Sequence, residues 1–136
     1  MGTRSMIGIK NADHTITAIY CHWDGYPAFN GDILINHYTT ESKIHKLMKL
    51  GDLSSLGNNI GKKHNFNESS EEFCTSYKRD RGEEGTEAKT YENFDSVTSI
   101  YGGIEYVYVW DGKWTCWDVY DKKFVDLYAM EVDAVA

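Results

Sequence analysis

An imidazole, a thiol, an indole, a carboxylate and a phenol fall close together in Cys21-His22-Trp23-Asp24-Gly25-Tyr26, and a guanidinium stands near the start of the chain at Arg4. His22 beside Asp24 has the composition of a general base or a metal ligand. Joined by Glu83, the pair would make the centre of a small metal-dependent hydrolase or nuclease. Two arguments weigh against that chemistry. Asp24-Gly25 has a sufficient role as a turn, where an Asp side chain bonds nearby backbone N–H groups. Alternation along a strand also sends Cys21 and His22 to opposite faces, so they make no nucleophile–base pair. No catalytic residue is therefore expected, and His22, Asp24 and Glu83 are kept as the alternative.

Binding chemistry suits the residues better. Arg4, Arg79 and Arg81 present forked donors for a phosphate or carboxylate, and His22, Trp23 and Tyr26 offer rings on which a base could stack. The same arginines would serve equally as surface ion pairs. Asp80 with Glu83 and Glu84 could take a divalent cation, although a charge-dense run such as Lys78-Arg79-Asp80-Arg81-Gly82-Glu83-Glu84 is more often a solvated loop. His14, His37, His45 and His64 match no zinc-ligand spacing, and neither the P-loop, the dinucleotide fingerprint nor the Gly-x-Ser-x-Gly elbow is present. Neither metal nor cofactor is expected.

The net charge of −7 speaks against binding DNA by phosphate neutralisation. Aromatic residues make up 14% of the 136-residue chain, more than a minimal core needs, which points to an aromatic surface that serves an interface or a ligand. Cys21, Cys74 and Cys116 form no CxxC pair and read as reduced, buried thiols. No run has the length of a membrane span and no leader is apparent, so a soluble, intracellular single domain of residues 1–136 is expected.

The elements that must position these groups follow from patterning. Alternation in residues 5–10 and 15–23, joined by Asn11-Ala12-Asp13-His14, predicts an antiparallel hairpin. A four-residue loop sets Lys10 opposite Thr15 and Arg4 opposite Cys21. Ile7, Ile9, Ile16, Ala18, Tyr20 and His22 then share one face, and Arg4, Met6, Ile19 and Cys21 the other. A slip of one residue would exchange these sets. Pro27 ends strand character. Helices are expected over residues 30–38, from a Thr39 or Thr40 cap to Gly51, and over 91–101 up to Gly102-Gly103. Residues 52–72 read as a polar surface loop with a short turn at 53–56, 73–78 as a short strand, and 79–86 as a charged loop. Asp111-Gly112 between apolar alternations predicts a second hairpin with Trp110 opposite Lys113. Its faces are Val107, Val109, Trp114 and Cys116 on one side, with Ile104, Tyr106, Tyr108, Trp110, Trp117 and Val119 on the other. Both are apolar, so the sheet is covered twice, or Tyr106, Tyr108, Trp110 and Trp117 form an oligomer contact or ligand platform. Residues 124–130 make a terminal helix or strand. The expected fold is α+β, an antiparallel sheet of N- and C-terminal hairpins packed with about three helices.

Gly2-Thr3-Arg4-Ser5, Tyr20-Cys21-His22-Trp23-Asp24-Gly25-Tyr26-Pro27, Gly51-Asp52-Leu53-Ser54-Ser55-Leu56-Gly57 and Arg79-Asp80-Arg81-Gly82-Glu83, with Glu105-Tyr106-Val107-Tyr108 before the Trp-rich hairpin, together resemble a group of small bacteriophage accessory proteins. The resemblance touches most of the chain. It implies a protein made in the cytoplasm of an infected bacterial host and dispensable for building the virion. Phage proteins of this kind often inhibit host defences, CRISPR effectors among them, or sequester a defence nucleotide signal. The expected partner is accordingly a host protein or a small nucleotide ligand, by binding without catalysis. A homo-oligomer is a third reading.

Overall fold

The computed structural model describes residues 2–99 and 103–129. Its elements are β1 (Arg4–Lys10), β2 (Ile16–Cys21), a π-helical turn (Pro27–Gly31) running into α1 (Asp32–His37), α2 (Glu41–Leu50), β3 (Leu53–Ser55), β4 (Thr75–Ser76), α3 (Tyr77–Arg81), β5 (Lys89–Tyr91), α4 (Phe94–Thr98), β6 (Ile104–Trp110), β7 (Trp114–Asp118) and β8 (Lys123–Val125). The fold is α+β. One mixed sheet runs in the order β4-β3-β2-β1-β6-β7-β8, with β5 pairing β2 as well. Most pairs are antiparallel. The two hairpins, however, are joined edge to edge by parallel pairing of β1 with β6, and β2 runs parallel to β3. The picture of a few hairpins with three helices was too simple, because parallel neighbours far apart in sequence leave no local signal.

Both hairpins sit one residue away from the expected register. Lys10 faces Ile16 and Ser5 faces Cys21, so the loop holds five residues, closed by the Asn11 N–H on the Thr15 carbonyl at 2.8 Å and by left-handed His14. Trp110 faces Trp114 across a three-residue loop with Gly112 at φ +80°. Each extra loop residue needs one left-handed position, and that geometry wins over the shorter turn. The slip reassigns every face. Ile7, Ile9, Ile19 and Cys21 join Tyr108, Trp114 and Cys116 under α1 and α2, which contribute Ile33, Leu34, Ile44 and Leu47. Met6, Ile16, Ala18, Ile104, Val107 and Val109 form a second core under Val97 of α4. Helices thus cover both faces, the first of the two readings that the apolar strands allowed.

Local chemistry explains the helices that form. Thr40 caps α2 by accepting the Lys43 N–H, and Gly51 at φ +80° ends it, both as expected. Pro27 opens the π-helical turn, where a missing N–H costs nothing. Residues 77–81, expected as strand end and loop, form α3 because the Ser76 hydroxyl accepts the Arg79 N–H and left-handed Gly82 closes the turn. The helix expected over 91–101 is shorter, Phe94–Thr98, capped by Asn93; its expected end at residues 100–102 lies outside the described residues. Leu53–Ser55 is a strand rather than a turn, and the terminal segment gives β8 before a short helical turn, with Met130 outside the described residues. Among the described residues no helix is long and apolar enough to cross a membrane.

Candidate functional site

The amino-terminal residues and the Cys21–Tyr26 segment, far apart in sequence, meet at the open end of the first hairpin. The Gly25 N–H donates to the Thr3 carbonyl at 2.8 Å, and the His22 and Trp23 N–H groups donate to Leu53 and Ser54 carbonyls at 3.0 Å each. Asp24 holds a left-handed φ of +57°, which a short polar residue tolerates, and its carbonyl accepts the Asn30 N–H. The Tyr108 hydroxyl donates to the Gly25 carbonyl at 2.6 Å. A Cβ on Gly25 would stand 2.7 Å from both Ser5 Cβ and the Thr3 carbonyl oxygen. Gly25→Ala is therefore expected to push the segment off β1 and to lower the melting temperature, with a change in Trp23 fluorescence reporting the displacement. An unchanged melting temperature would mean that this contact relaxes freely.

Beside this clamp lies a cleft of about 280 Å³ lined by Arg4, Tyr20, Asp52, Gly103 and Ile104. Arg4 opens β1 at an irregular step, where Ile104 pairs with Arg4 and Tyr106 with Ser5. Its side chain is exposed and, among the described residues, makes no ion pair or hydrogen bond. Gly103 leaves room for it, since a Cβ there would come within 2.7 Å of Nη1. Asp52 follows the end of α2 and is fixed from three sides. Its N–H donates to the Thr86 carbonyl at 2.8 Å, its carbonyl accepts the Tyr77 N–H, and its Oδ1 accepts the Tyr20 N–H at 2.9 Å. Burial pushes the Asp52 carboxyl up; the Tyr20 bond and Lys89 oppose that, while Glu87 and Glu83 add to it.

The Tyr20 hydroxyl lies 2.7 Å from His22 Nδ1. Burial raises the phenol and lowers the imidazole, and the Arg4 charge also disfavours the imidazolium, so a protonated hydroxyl shares a hydrogen bond with a neutral ring. Trp23 sets its edge on His22 at 4.7 Å and is 43% exposed, while Tyr26, 40% exposed, leans on Phe29. Of the expected binding residues Arg4 lines the cleft, His22 touches its Tyr20 wall and Trp23 packs on His22, while Tyr26 packs on Phe29.

The two remaining arginines do not join them. Arg79 is committed to Asp80 and to the carbonyls of Ile60, Gly61 and Cys74. Arg81 lies over the Phe66 and Tyr77 rings and pairs with Glu83. Asp80, with a side chain 0% exposed, turns inward and is not free for a cation with Glu83 and Glu84. Among the described residues no three His, Cys, Asp or Glu side chains converge on a metal position, so His22, Asp24 and Glu83 do not assemble one. Cys21 is fully buried with Asn30 Nδ2 against its sulfur, and burial pushes its thiol up to about 12, an inert group. Tyr108 is 0% exposed and offers no surface; Tyr106 and Trp110 flank the first core, while Trp117 packs on the second with Phe94 and Phe124. The four therefore do not form one platform.

Asp52 is the site residue that sequence reasoning missed. A charged residue just after a helix stop reads as solvated, and only its place in the Gly51–Gly57 motif marked it. No protein-family model matches the chain, and no curated protein or solved structure matches it either.

Proposed function

We propose that the protein acts by binding, as a small accessory protein in the cytoplasm of an infected bacterial host, and that its Arg4 cleft captures a small anionic ligand such as a defence nucleotide. The observation that carries this reading is a guanidinium with no ion pair or hydrogen bond among the described residues, in a cleft walled by Tyr20 and Ile104. A guanidinium left without a partner beside a concave, partly apolar wall suits a phosphate on a planar ring system. The fixed backbone around His22 and Asp52 supports it further, because a preorganised site loses little entropy on binding. A metal-dependent hydrolase at His22, Asp24 and Glu83 has no comparable support.

Titration calorimetry with AMP, GMP, CMP and UMP tests the reading. Saturable binding is expected, weakened about tenfold or more in Arg4→Ala, the usual worth of a charge-assisted hydrogen bond. Failure of all four nucleotides to bind, or equal binding by Arg4→Ala, would overturn it.

Exposed Trp23 and Tyr26 favour a second reading, blockade of a host defence protein through this aromatic rim, since large aromatics anchor protein interfaces. A Trp23→Ala, Tyr26→Ala protein that binds nucleotide normally yet fails in an infection assay would select it.

A further inference from the structure

The Arg4 cleft has a second pole. Arg4 and Asp52 line the same space, yet among the described residues they form no ion pair, so neither charge neutralises the other. Asp52 is also not an isolated acid. Lys89 acts on it with one sign and Glu87 and Glu83 with the other, so acidic neighbours as well as a basic one bear on this end of the cleft. Its geometry is fixed by the backbone of Thr86, Tyr77 and Tyr20. Oδ1 takes the Tyr20 N–H, and no other hydrogen bond to the carboxylate is made among the described residues. A carboxylate carries about four acceptor positions, so most remain for a ligand.

An anion alone would be held by Arg4 and repelled by Asp52. A ligand that suits both ends is dipolar, with an anionic group at Arg4 and N–H donors at Asp52. The walls narrow this further. Tyr20 contributes an aromatic ring, Ile104 an aliphatic side chain and Gly103 only backbone, so part of the wall is apolar. A planar nucleobase fits such a wall because its faces stack without hydrogen-bond demands.

We infer that Asp52 reads the base edge and makes the cleft selective for guanine nucleotides. Guanine sets two N–H donors side by side, at N1 and N2, and a carboxylate accepts both. Adenine puts the N1 lone pair next to its amino group, and uracil flanks its single N–H with carbonyls; each meets the carboxylate with repulsion. Cytosine likewise pairs an amino donor with a ring nitrogen lone pair. This inference rests on the reading of the Arg4 cleft as a ligand site.

The test is calorimetry of the full chain with GMP, AMP, UMP and, as a dipolar ligand without a base, glutamate. Wild type is expected to bind GMP about tenfold or more tightly than AMP or UMP, the range of one good bidentate base contact. Asp52→Asn keeps an oxygen for the Tyr20 N–H. It is expected to lose most of the GMP preference while AMP binding stays the same or improves, as the repelling charge is gone. Melting temperatures of both proteins separate this from unfolding. If every nucleotide binds alike and Asp52→Asn changes no ratio, the guanine assignment fails and the anion site stands. Glutamate binding more tightly than GMP would overturn the assignment in favour of an amine at Asp52. If none of the four binds, the ligand-site reading itself has failed.

Discussion

Replacing Asp80 by Ala is expected to lower stability by about 3–5 kcal/mol, the cost of breaking a buried ion pair from one side. The Asp80 carboxylate accepts the Ser76 N–H at 2.7 Å, the His64 N–H at 3.0 Å, and the Arg79 guanidinium through both oxygens. Arg79, its side chain 17% exposed, then spans to the carbonyls of Ile60, Gly61 and Cys74. Those contacts organise the long polar segment after Gly57, which otherwise holds itself by sparse pairing such as the Asn58 N–H on the Glu71 carbonyl. Without Asp80, a charged guanidinium and two N–H groups lose their acceptor together. Urea unfolding measures the loss, and hydrogen exchange should place the loosened amides in residues 57–74. A drop under 1 kcal/mol, with no change in exchange there, would show that the segment does not depend on this clasp.

The same residue sets an acid response. Burial is the largest single influence on Asp80 and pushes its carboxyl up, but the Arg79 bonds and the Ser76 and His64 N–H groups outweigh it and hold the group below 3.8. A carboxyl depressed in the fold lends stability that is whole above its unfolded value and is lost as pH falls through the folded one. The Asp80 contribution should therefore disappear below pH 3.8, and Asp80→Asn should flatten that limb of the stability curve. Asp52 acts with the opposite sign. Its carboxyl is raised by burial, so protonation on descent toward pH 3.8 relieves a penalty and softens the approach to that limb.

How much of this could be read beforehand differs by kind of interaction. Thr40 and Gly51 act through their own neighbours, and α2 stands where they indicated; Asp111-Gly112 marked the second hairpin but not its register. The registers slipped because a loop one residue longer leaves the same hydrophobic alternation. Arg79 looked like a ligand residue because a sequence cannot show that Ile60, Gly61 and Cys74 turn their carbonyls toward it. Arg4 and Tyr20 could be suspected from type alone. Asp52, which accepts the Tyr20 N–H and lines the same cleft as Arg4, comes there through the parallel step from β2 to β3, a pairing without a local signature.

Trp114→Ala is expected to cost about 3–5 kcal/mol by the cavity it leaves, and its effect should not stay in the second hairpin. Trp114 is 2% exposed and donates its Nε1–H to the Tyr38 carbonyl at 2.8 Å. Tyr38, itself fully buried, donates its hydroxyl to the Gly57 carbonyl at 2.7 Å and lies 3.3 Å from the Cys74 sulfur. Cys74 is the point where this column meets the Asp80 clasp, since its carbonyl accepts Arg79 Nη2 at 2.7 Å. The two supports hold the same polar segment from its core side and its solvent side. Residues that share a partner in this way lose stability non-additively, by roughly 0.5–3 kcal/mol. The double variant Trp114→Ala, Asp80→Ala should accordingly lose less than the sum of the single losses, because the first change already releases what the second would. Trp114→Phe, which drops the donor but only part of the side-chain volume, is expected to lose less than Trp114→Ala, with about 1 kcal/mol of its loss from the hydrogen bond. Strict additivity in the urea midpoints would mean that the hairpin column and the clasp hold independent parts of the fold.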